Sequence, residues 1–404
     1  MNFAQRLLVL SVCALAACAP PSEPEVSAPV EAQPTTPPPP VVVEPNSFNP
    51  NQPVVLGLLV PANSGNDQTD ALAQSLINAA DMAVDELGRG QFFVNSYATG
   101  GDAAIAADMA SLAMTDGARM IIGPLFSTSV RTVVPVAGRE SVPVLALSNN
   151  TAVRTEGAWL LGVTFDARAQ RIVSEAVDRE VTRLGVIYSA DVEGRAARDA
   201  IVRAAVGSGL NVVAQASYER SQQGIQDAAE LYVQTMLDAE AEMVVMTDRD
   251  SGLIFAASFL RLFGLDTGRF PVASVQPLGS EIYSVDPALQ STLYAAPATA
   301  DLEAFATRYE ARFGEAPHPL APLTYEAVSV AVALVNEARR TGDITPFGPD
   351  DLTRPAGYAG PQGAFRLTRE GVTDRGLSVF SVSRRGDTEV SPARLPSPRF
   401  GTGS

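Results

Sequence analysis

Apolar and polar residues follow two alternating patterns along the chain, one typical of buried strands and one typical of helices. Val54–Val60 is a continuous apolar run, as a parallel strand covered on both faces requires. Asp70–Leu87 follows, with apolar residues three and four positions apart, which predicts a helix. The next predicted elements are strand Phe92–Tyr97, helix Asp102–Thr115, strand Met120–Ile122, helix Ser127–Ala137 and strand Val142–Leu147.

The second half repeats this alternation after a break near Gly162–Asp166. Its predicted helices are Ala167–Val181, Gly194–Val206, Gly224–Leu237, Leu253–Phe263 and the late Pro322–Arg340. Its predicted strands are Leu184–Tyr188, Val212–Ala216, Met243–Thr247, Ala364–Leu367 and Leu377–Val382. Strands alternating with helices predict an α/β fold with parallel sheets, and the break predicts a crossover between two lobes.

The first residues are typical of a secretory leader, predicted over residues 1–17. The apolar stretch of this leader is shorter than the roughly 20 residues that a membrane span needs. The sequence Leu15-Ala16-Ala17-Cys18 resembles the bacterial lipoprotein box, which implies that Cys18 is lipidated and becomes the new N-terminus. An ordinary signal cut near Ala17, leaving a free cysteine, is the alternative. Because Ala19 follows and not aspartate, the resemblance to Gram-negative lipoproteins implies an anchor at the outer membrane, with the body in the periplasm.

A proline-rich segment follows the cysteine, so residues 18–53 are predicted to be a lipid anchor and linker. Twelve prolines lie between Ala19 and Pro53, a composition that favours an extended polyproline II spacer. At ~3.1 Å per residue its reach is on the order of 100 Å. A passive tether is the simpler interpretation, and a proline-rich docking motif is the alternative.

Composition narrows the possible chemistry. All 29 basic residues are arginine, His318 is the single histidine, and both cysteines, Cys13 and Cys18, precede residue 20. These counts exclude lysine-dependent catalysis, a disulfide framework in the body and a multi-histidine metal centre. The net charge of −16 argues against nucleic acid as a partner. We therefore expect no cofactor, no metal and no catalysis, hence a protein that binds.

Two polar loops follow neighbouring apolar strands in the first half. Ile122-Gly123-Pro124 leads to Ser127, Thr128 and Ser129, and the strand ending at Leu147 leads to Ser148 and Asn149. Hydroxyls and N–H groups at a helix N-terminus suit an anion, although the same residues are also common helix caps. Loops at the carboxyl ends of adjacent parallel strands are where open α/β sheets bind ligands.

Seven motifs occur in an order that resembles the Leu/Ile/Val-type periplasmic binding proteins over roughly residues 54–385. They are Pro61 with Ser64-Gly65, Asn78–Ala83, Ile122-Gly123-Pro124, Val142–Val144 with Ser148, Gly185–Tyr188 with Asp191 and Gly194-Arg195, Thr324–Val328, and Gly360–Phe365 with Glu370-Gly371. The resemblance implies two Rossmann-like lobes with parallel central sheets, joined by three crossovers around a ligand cleft.

The resemblance also implies site residues. Ser127, Thr128, Ser148 and Asn149 would hold a ligand carboxylate on the first lobe. Glu193 stands where the family often has a tyrosine, which removes an aromatic wall. On the second lobe, Asp248 and Asp250 could take an ammonium group, or they could belong to a solvated charge cluster around Arg249.

The predicted domain limits follow from these patterns. They are residues 54–165 with 275–375 for the N-terminal lobe, residues 166–274 with 376–390 for the C-terminal lobe, and residues 391–404 for a disordered tail.

Two functions remain open. Anchoring at the outer membrane hinders a shuttle to an inner-membrane ABC permease, so we expect a regulator of peptidoglycan synthesis similar to the penicillin-binding-protein activators, with a penicillin-binding synthase as partner. The alternative is a solute-binding lipoprotein that delivers an amino-acid-like, branched-chain type ligand to an ABC importer.

Overall fold

A computed structural model describes residues 47–265 and 270–396. The leader, most of the predicted linker and the last eight residues therefore lie outside the described residues, as does Cys18. None of the helices in the described ranges is both long and apolar enough to cross a membrane.

The first sheet contains five parallel strands in the order β2-β1-β3-β4-β5. Its strands are β1 Val54–Val60, β2 Phe92–Ala98, β3 Ala118–Ile122, β4 Val144–Ala146 and β5 Ala158–Leu160. Its helices are α1 Asp67–Leu87, α2 Ala103–Thr115, α3 Ser127–Arg139, α9 Thr299–Phe313, α10 Ala321–Thr341 and the short α11 Pro349–Leu352.

Both faces of this sheet are covered, which explains the unbroken apolar run of β1. Leu56 and Leu58 pack with residues of α1 and α10, whereas Leu59 packs on the opposite face with residues of α2 and α3. Successive side chains of a strand point to opposite faces, so a strand between two helical layers needs apolar residues at every position.

The second sheet has seven strands in the order β15-β14-β10-β9-β8-β6-β7. These strands are β6 Arg183–Ser189, β7 Asn211–Tyr218, β8 Met243–Met246, β9 Val272–Ser274, β10 Leu293–Ala296, β14 Leu377–Ser381 and β15 Thr388–Arg394. The helices beside them are α4 Phe165–Asp178, α5 Val192–Gly207, α6 Gln222–Asp238, α7 Asp250–Leu262 and α8 Glu281–Ser284. A third sheet, β11 Tyr358–Gly360, β12 Gly363–Leu367 and β13 Thr373–Arg375, packs on the core of the first.

The chain passes three times between the first lobe (the first and third sheets with their helices) and the second lobe (the second sheet with its helices). The crossovers are residues 161–164, residues 297–298 and Gly376. The predicted fold class, two lobes with parallel sheets joined by three crossovers, is confirmed.

Three predicted boundaries are wrong. The second crossover lies after Ala296 and not at residue 275, because β10 pairs with β9 and β14 in the second sheet. The predicted disordered tail begins too early, since β15 extends to Arg394 and pairs with β14. The predicted linker ends too late, because Phe48 is buried in the core of the first lobe and its N–H donates to the Ile344 carbonyl.

Arg375, which precedes the third crossover, forms a buried ion pair with Glu326 of α10 and also bonds to the first crossover. The guanidinium of Arg375 donates to both carboxylate oxygens of Glu326, at 2.6 and 2.9 Å, and both side chains are fully buried. It also donates to the carbonyl of Leu161, at 3.2 Å. The residue that precedes the third crossover is thus bonded to the first residue of the first crossover.

Candidate functional site

The loop after β3 is shaped by a glycine that no other residue can replace without strain. Gly123 has φ of +88° and precedes Pro124 through a cis peptide bond. A Cβ at Gly123 would lie 2.5 Å from the carbonyl oxygen of Leu59. The Gly123 N–H donates to the Leu145 carbonyl, and the Leu147 N–H donates to the Pro124 carbonyl. The loops after β3 and β4 are therefore fixed against each other by their backbones.

The first turn of α3 presents the predicted hydroxyls. Phe126 occupies the cap position and provides no side-chain cap, so Ser127 and Thr128 lie inside the helix and do not cap it. Ser127 is half-buried and Thr128 is exposed, whereas Ser129 is buried with an Oγ that has no hydrogen-bond partner. The cap interpretation is thus wrong for these residues, and the helix N-terminus is available to an anion.

The loop after β4 brings in the other two first-lobe candidates. Ser148 is buried, and its Oγ accepts the N–H of Asn150 at 3.2 Å, while Asn149 is exposed. The first crossover passes directly over this loop, since a Cβ on Gly162 would lie 2.7 Å from the Ser148 carbonyl oxygen. β3 and β4 are adjacent, so Ser127, Thr128, Ser148 and Asn149 share one edge of the sheet.

The carboxyl edge of the second sheet is charged. Asp191 caps α5 by accepting the Gly194 N–H at 2.7 Å and the Ser189 hydroxyl at 3.1 Å. Burial raises the pKa of Asp191, but these hydrogen bonds outweigh it and leave the pKa below its ordinary value. Two residues further on, the carboxylate of Glu193 pairs with Arg249 at 2.9 Å.

Asp248 lies at the end of β8 and is enclosed. Its side chain is 2% exposed; Oδ1 pairs with Arg220 at 3.0 Å and accepts the Arg249 N–H at 2.8 Å. Oδ2 accepts the hydroxyl of Tyr218 at 3.0 Å. Burial, together with the Asp248 charge, raises the pKa of Tyr218 well above its ordinary value, which keeps the hydroxyl a donor. A Cβ on Gly252 would lie 2.2 Å from Oδ2, so α7 starts directly against this carboxylate.

The charge cluster around Arg249 is only partly what the sequence predicts. Arg249, Glu193 and Asp250 form a network of half-exposed to exposed side chains, as the solvated interpretation has it. The carboxylate of Glu193 is the first cause of the raised pKa of Arg249. Asp248 is excluded from solvent and has Arg220 as its counterion. An ammonium role for Asp248 stays a prediction, but both of its oxygens already have partners.

The six predicted residues form two separate groups. Four lie at the edge of the first sheet and two at the edge of the second, where Arg249 links Glu193 to Asp248. No hydrogen bond or ion pair joins the two groups within residues 47–265 and 270–396. Sequence reasoning missed Tyr218 and Arg220, although a polar residue after a predicted strand was the same signal that indicated Ser148.

A third missed residue is Arg168, in the first turn of α4. Its Nε is enclosed and has no hydrogen-bond partner. Burial lowers the pKa of Arg168 to about 10.

His318 serves the fold, because its backbone N–H donates to the Ser75 hydroxyl and its Nδ1 accepts the backbone N–H of Leu320. The described residues contain no cluster of three or more His, Cys, Asp or Glu side chains that could hold a metal.

Two α/β lobes joined by three crossovers, each with a polar sheet edge, define a bilobal binding protein. A model of the family "Periplasmic binding protein" matches residues 53–387. The chain belongs to this family. A comparison with curated proteins gave no match.

Solved structures agree on the fold. A protein assigned as a branched-chain amino acid ABC transporter from Rhodospirillum rubrum superposes with a TM-score of 0.70 at 18% identity, over 84% of this chain and 100% of that one. A leucine-, isoleucine-, valine-, threonine- and alanine-binding protein from Brucella ovis, in a closed conformation, gives 0.61 at 16%, over 86% and 95%. A solute-binding protein from R. palustris in complex with benzoate gives 0.56 at 12%, over 86% and 98%.

Proposed function

We propose that this protein is the solute-binding component of an ABC importer and binds a small molecule through a carboxylate group. The observation that carries the proposal is the neutral edge of the first sheet. There the uncapped N-terminus of α3, with Ser127 and Thr128, lies beside the buried hydroxyl of Ser148. Oriented N–H and hydroxyl donors at a helix N-terminus bind a carboxylate without any counterion from the protein.

The relatives support the importer over the activator that the sequence favours. The matched structures named above are described as transport or solute-binding proteins, and the fold shared with them is the support that they lend to the importer. Nothing in the comparisons supports a role in activating penicillin-binding synthases. We therefore propose an ABC permease as the partner, a periplasmic body and, as a separate prediction, a lipid anchor at Cys18.

Calorimetric titration of the purified protein with small carboxylates tests this proposal. We expect one-to-one binding that weakens about tenfold in Ser148→Ala, because the variant loses one hydrogen bond to a charged group. The matched control is Ser111→Ala, since Ser111 is an exposed residue of α2 whose hydroxyl bonds only to its own helix. Absence of binding across the panel, or equal losses in both variants, would refute the proposed site.

A further inference from the structure

The carboxylates at the edge of the second sheet are already neutralised by the protein. Four of them follow the neighbouring strands β8 and β6: Asp191, Glu193, Asp248 and Asp250. Asp191 accepts the Gly194 N–H at the N-terminus of α5 and the Ser189 hydroxyl through Oδ1, and the other three pair with arginines. A ligand ammonium group would need one of these carboxylates as its counterion.

Asp248 is the only one of the four that is enclosed, and Arg220 lies where an ammonium group would have to be. The Nε of Arg220 is 3.0 Å from Oδ1, which also accepts the Arg249 N–H, and Oδ2 accepts the Tyr218 hydroxyl. Because the side chain of Asp248 is only 2% exposed, a second cation would have to displace one of these donors, and the guanidinium is the one that carries a charge. Breaking a charge-assisted pair with an enclosed carboxylate is costly, because the displaced partner loses its counterion.

Glu193 and Asp250 are held by one arginine, since Arg249 donates to both at 2.9 and 3.1 Å. Both carboxylates are more than two-fifths exposed, so solvent screens whatever attraction they offer to a ligand. Glu219, at the end of the edge strand β7, is also exposed. The outer carboxylates therefore do not replace Asp248 as a desolvated ammonium site.

We propose that Arg220 determines specificity and that the ligand is a carboxylate without an α-ammonium group, such as a branched aliphatic or aromatic acid. This inference rests on the proposed function and names its substrate class. The first lobe supplies donors for the carboxylate, whereas an ammonium group brought against the second lobe would lose its hydration without gaining a counterion. Branched-chain amino acids are thus disfavoured by charge and not by size.

The test compares acids that differ only in the amino group. Leucine is titrated against 4-methylpentanoate, and phenylalanine against 3-phenylpropanoate, by calorimetry on the purified protein. We expect each des-amino acid to bind at least about tenfold more tightly than its amino acid. An amino acid that binds as tightly as its des-amino partner overturns the inference and leaves the proposed function intact. If no acid binds, the proposed function fails and the inference fails with it.

Substitutions of Arg220 make the same test by changing the protein and not the ligand. Arg220→Met frees Asp248, so the preference for the des-amino acid should shrink by about tenfold or more. Arg220→Lys keeps a cation and should keep the preference. The matched control is Arg183→Met, because Arg183 pairs with Glu240 and Glu242 at the opposite edge of the same sheet. If Arg220→Met is folded by circular dichroism and its preference for the des-amino acid is unchanged, the role of Arg220 is overturned. If that variant does not fold, the preference measured for Arg220→Lys and the wild-type ratio of the two affinities decide.

Discussion

The loops at the carboxyl edges of the two sheets are stabilised by different interactions. The loops after β3 and β4, residues 123–129 and 147–150, contain no charged side chain and are fixed by backbone hydrogen bonds. The loops after β6 and β8 are held by ion pairs that link Glu193, Arg249, Asp248 and Arg220. A loop held by its backbone leaves its side chains free for a ligand, whereas a loop held by its side chains has already used them.

For ligand binding, this contrast between the two edges matters more than the number of polar groups at each. Both edges lie at the carboxyl ends of parallel strands, where ligands of open α/β sheets bind. Each edge has a buried hydroxyl without a partner, that of Ser129 or Thr247, and a helix start without a side-chain cap, in α3 or α7. At the second edge, however, the carboxylate of Asp248 already lies against the start of α7, whereas no charged side chain of the loops at the first edge does the same at α3. On our proposal, the first edge binds the ligand and the second edge excludes ligands with the wrong charge.

The largest expected effect comes from breaking the second edge. Asp248→Ala leaves the buried hydroxyl of Tyr218 without an acceptor and the guanidinium of Arg220 without its counterion, which should lower the free energy of unfolding by about 2–4 kcal/mol. Urea unfolding followed by circular dichroism measures this. The matched control is Asp250→Ala, where the lost pair is exposed and the change should stay under about 1 kcal/mol. Equal effects would mean that the enclosure of Asp248 has no energetic consequence.

A smaller effect should follow from disturbing the backbone of the first edge. Gly123→Ala places a Cβ against the Leu59 carbonyl at a φ of +88°, which should cost about 1–3 kcal/mol and weaken carboxylate binding. Gly138→Ala in α3 is the control, because nothing lies within 4 Å of its Cβ and alanine favours a helix by about 0.5–1 kcal/mol. The prediction is contradicted if both substitutions change stability and affinity alike.

The smallest effect should come from the exposed part of the second edge. Arg249→Met removes the pairs with Glu193 and Asp250, which should cost about 0–1 kcal/mol because these side chains are half-exposed or more. Unfolding at low and high salt checks the cause, since screening by salt should erase the difference between variant and wild type. A large loss that persists in high salt would show that this network is not a solvated one.

Much of the fold could be predicted because its signals are local. The apolar run of β1 and the helical spacing of α1 each identify their element within about 20 residues of sequence. The order of strands is not local, so the sequence predicts the second crossover too early, at residue 275. No pattern near Ala296 indicates that β10 pairs with β14, 81 residues later. The burial of Phe48 could not be predicted for a similar reason, because a single aromatic residue in a proline-rich segment shows no hydrophobic periodicity.

In the candidate site, too, the features with local sequence signals could be predicted and the long-range contacts could not. Ser127 and Ser148 could be found because each lies in the short segment of chain after an apolar strand. Arg220 could not be assigned to Asp248, since the pair is 28 positions apart and joins the ends of two strands that are not neighbours in the sheet. Sequence patterns indicate where polar groups gather, but not which of them neutralise each other.

The three crossovers have a consequence for how the protein is made. The core of the first lobe combines residues from Phe48 to Leu161 with residues from Phe305 to Leu367, and the second sheet takes its last strands from residues after 376. Neither lobe can complete its core while the chain is still being exported, because each needs segments made near the end. The first lobe can therefore complete its core only after about residue 375 has emerged, and the second sheet only after about residue 394, so a chain released before residue 375 would expose two incomplete lobes.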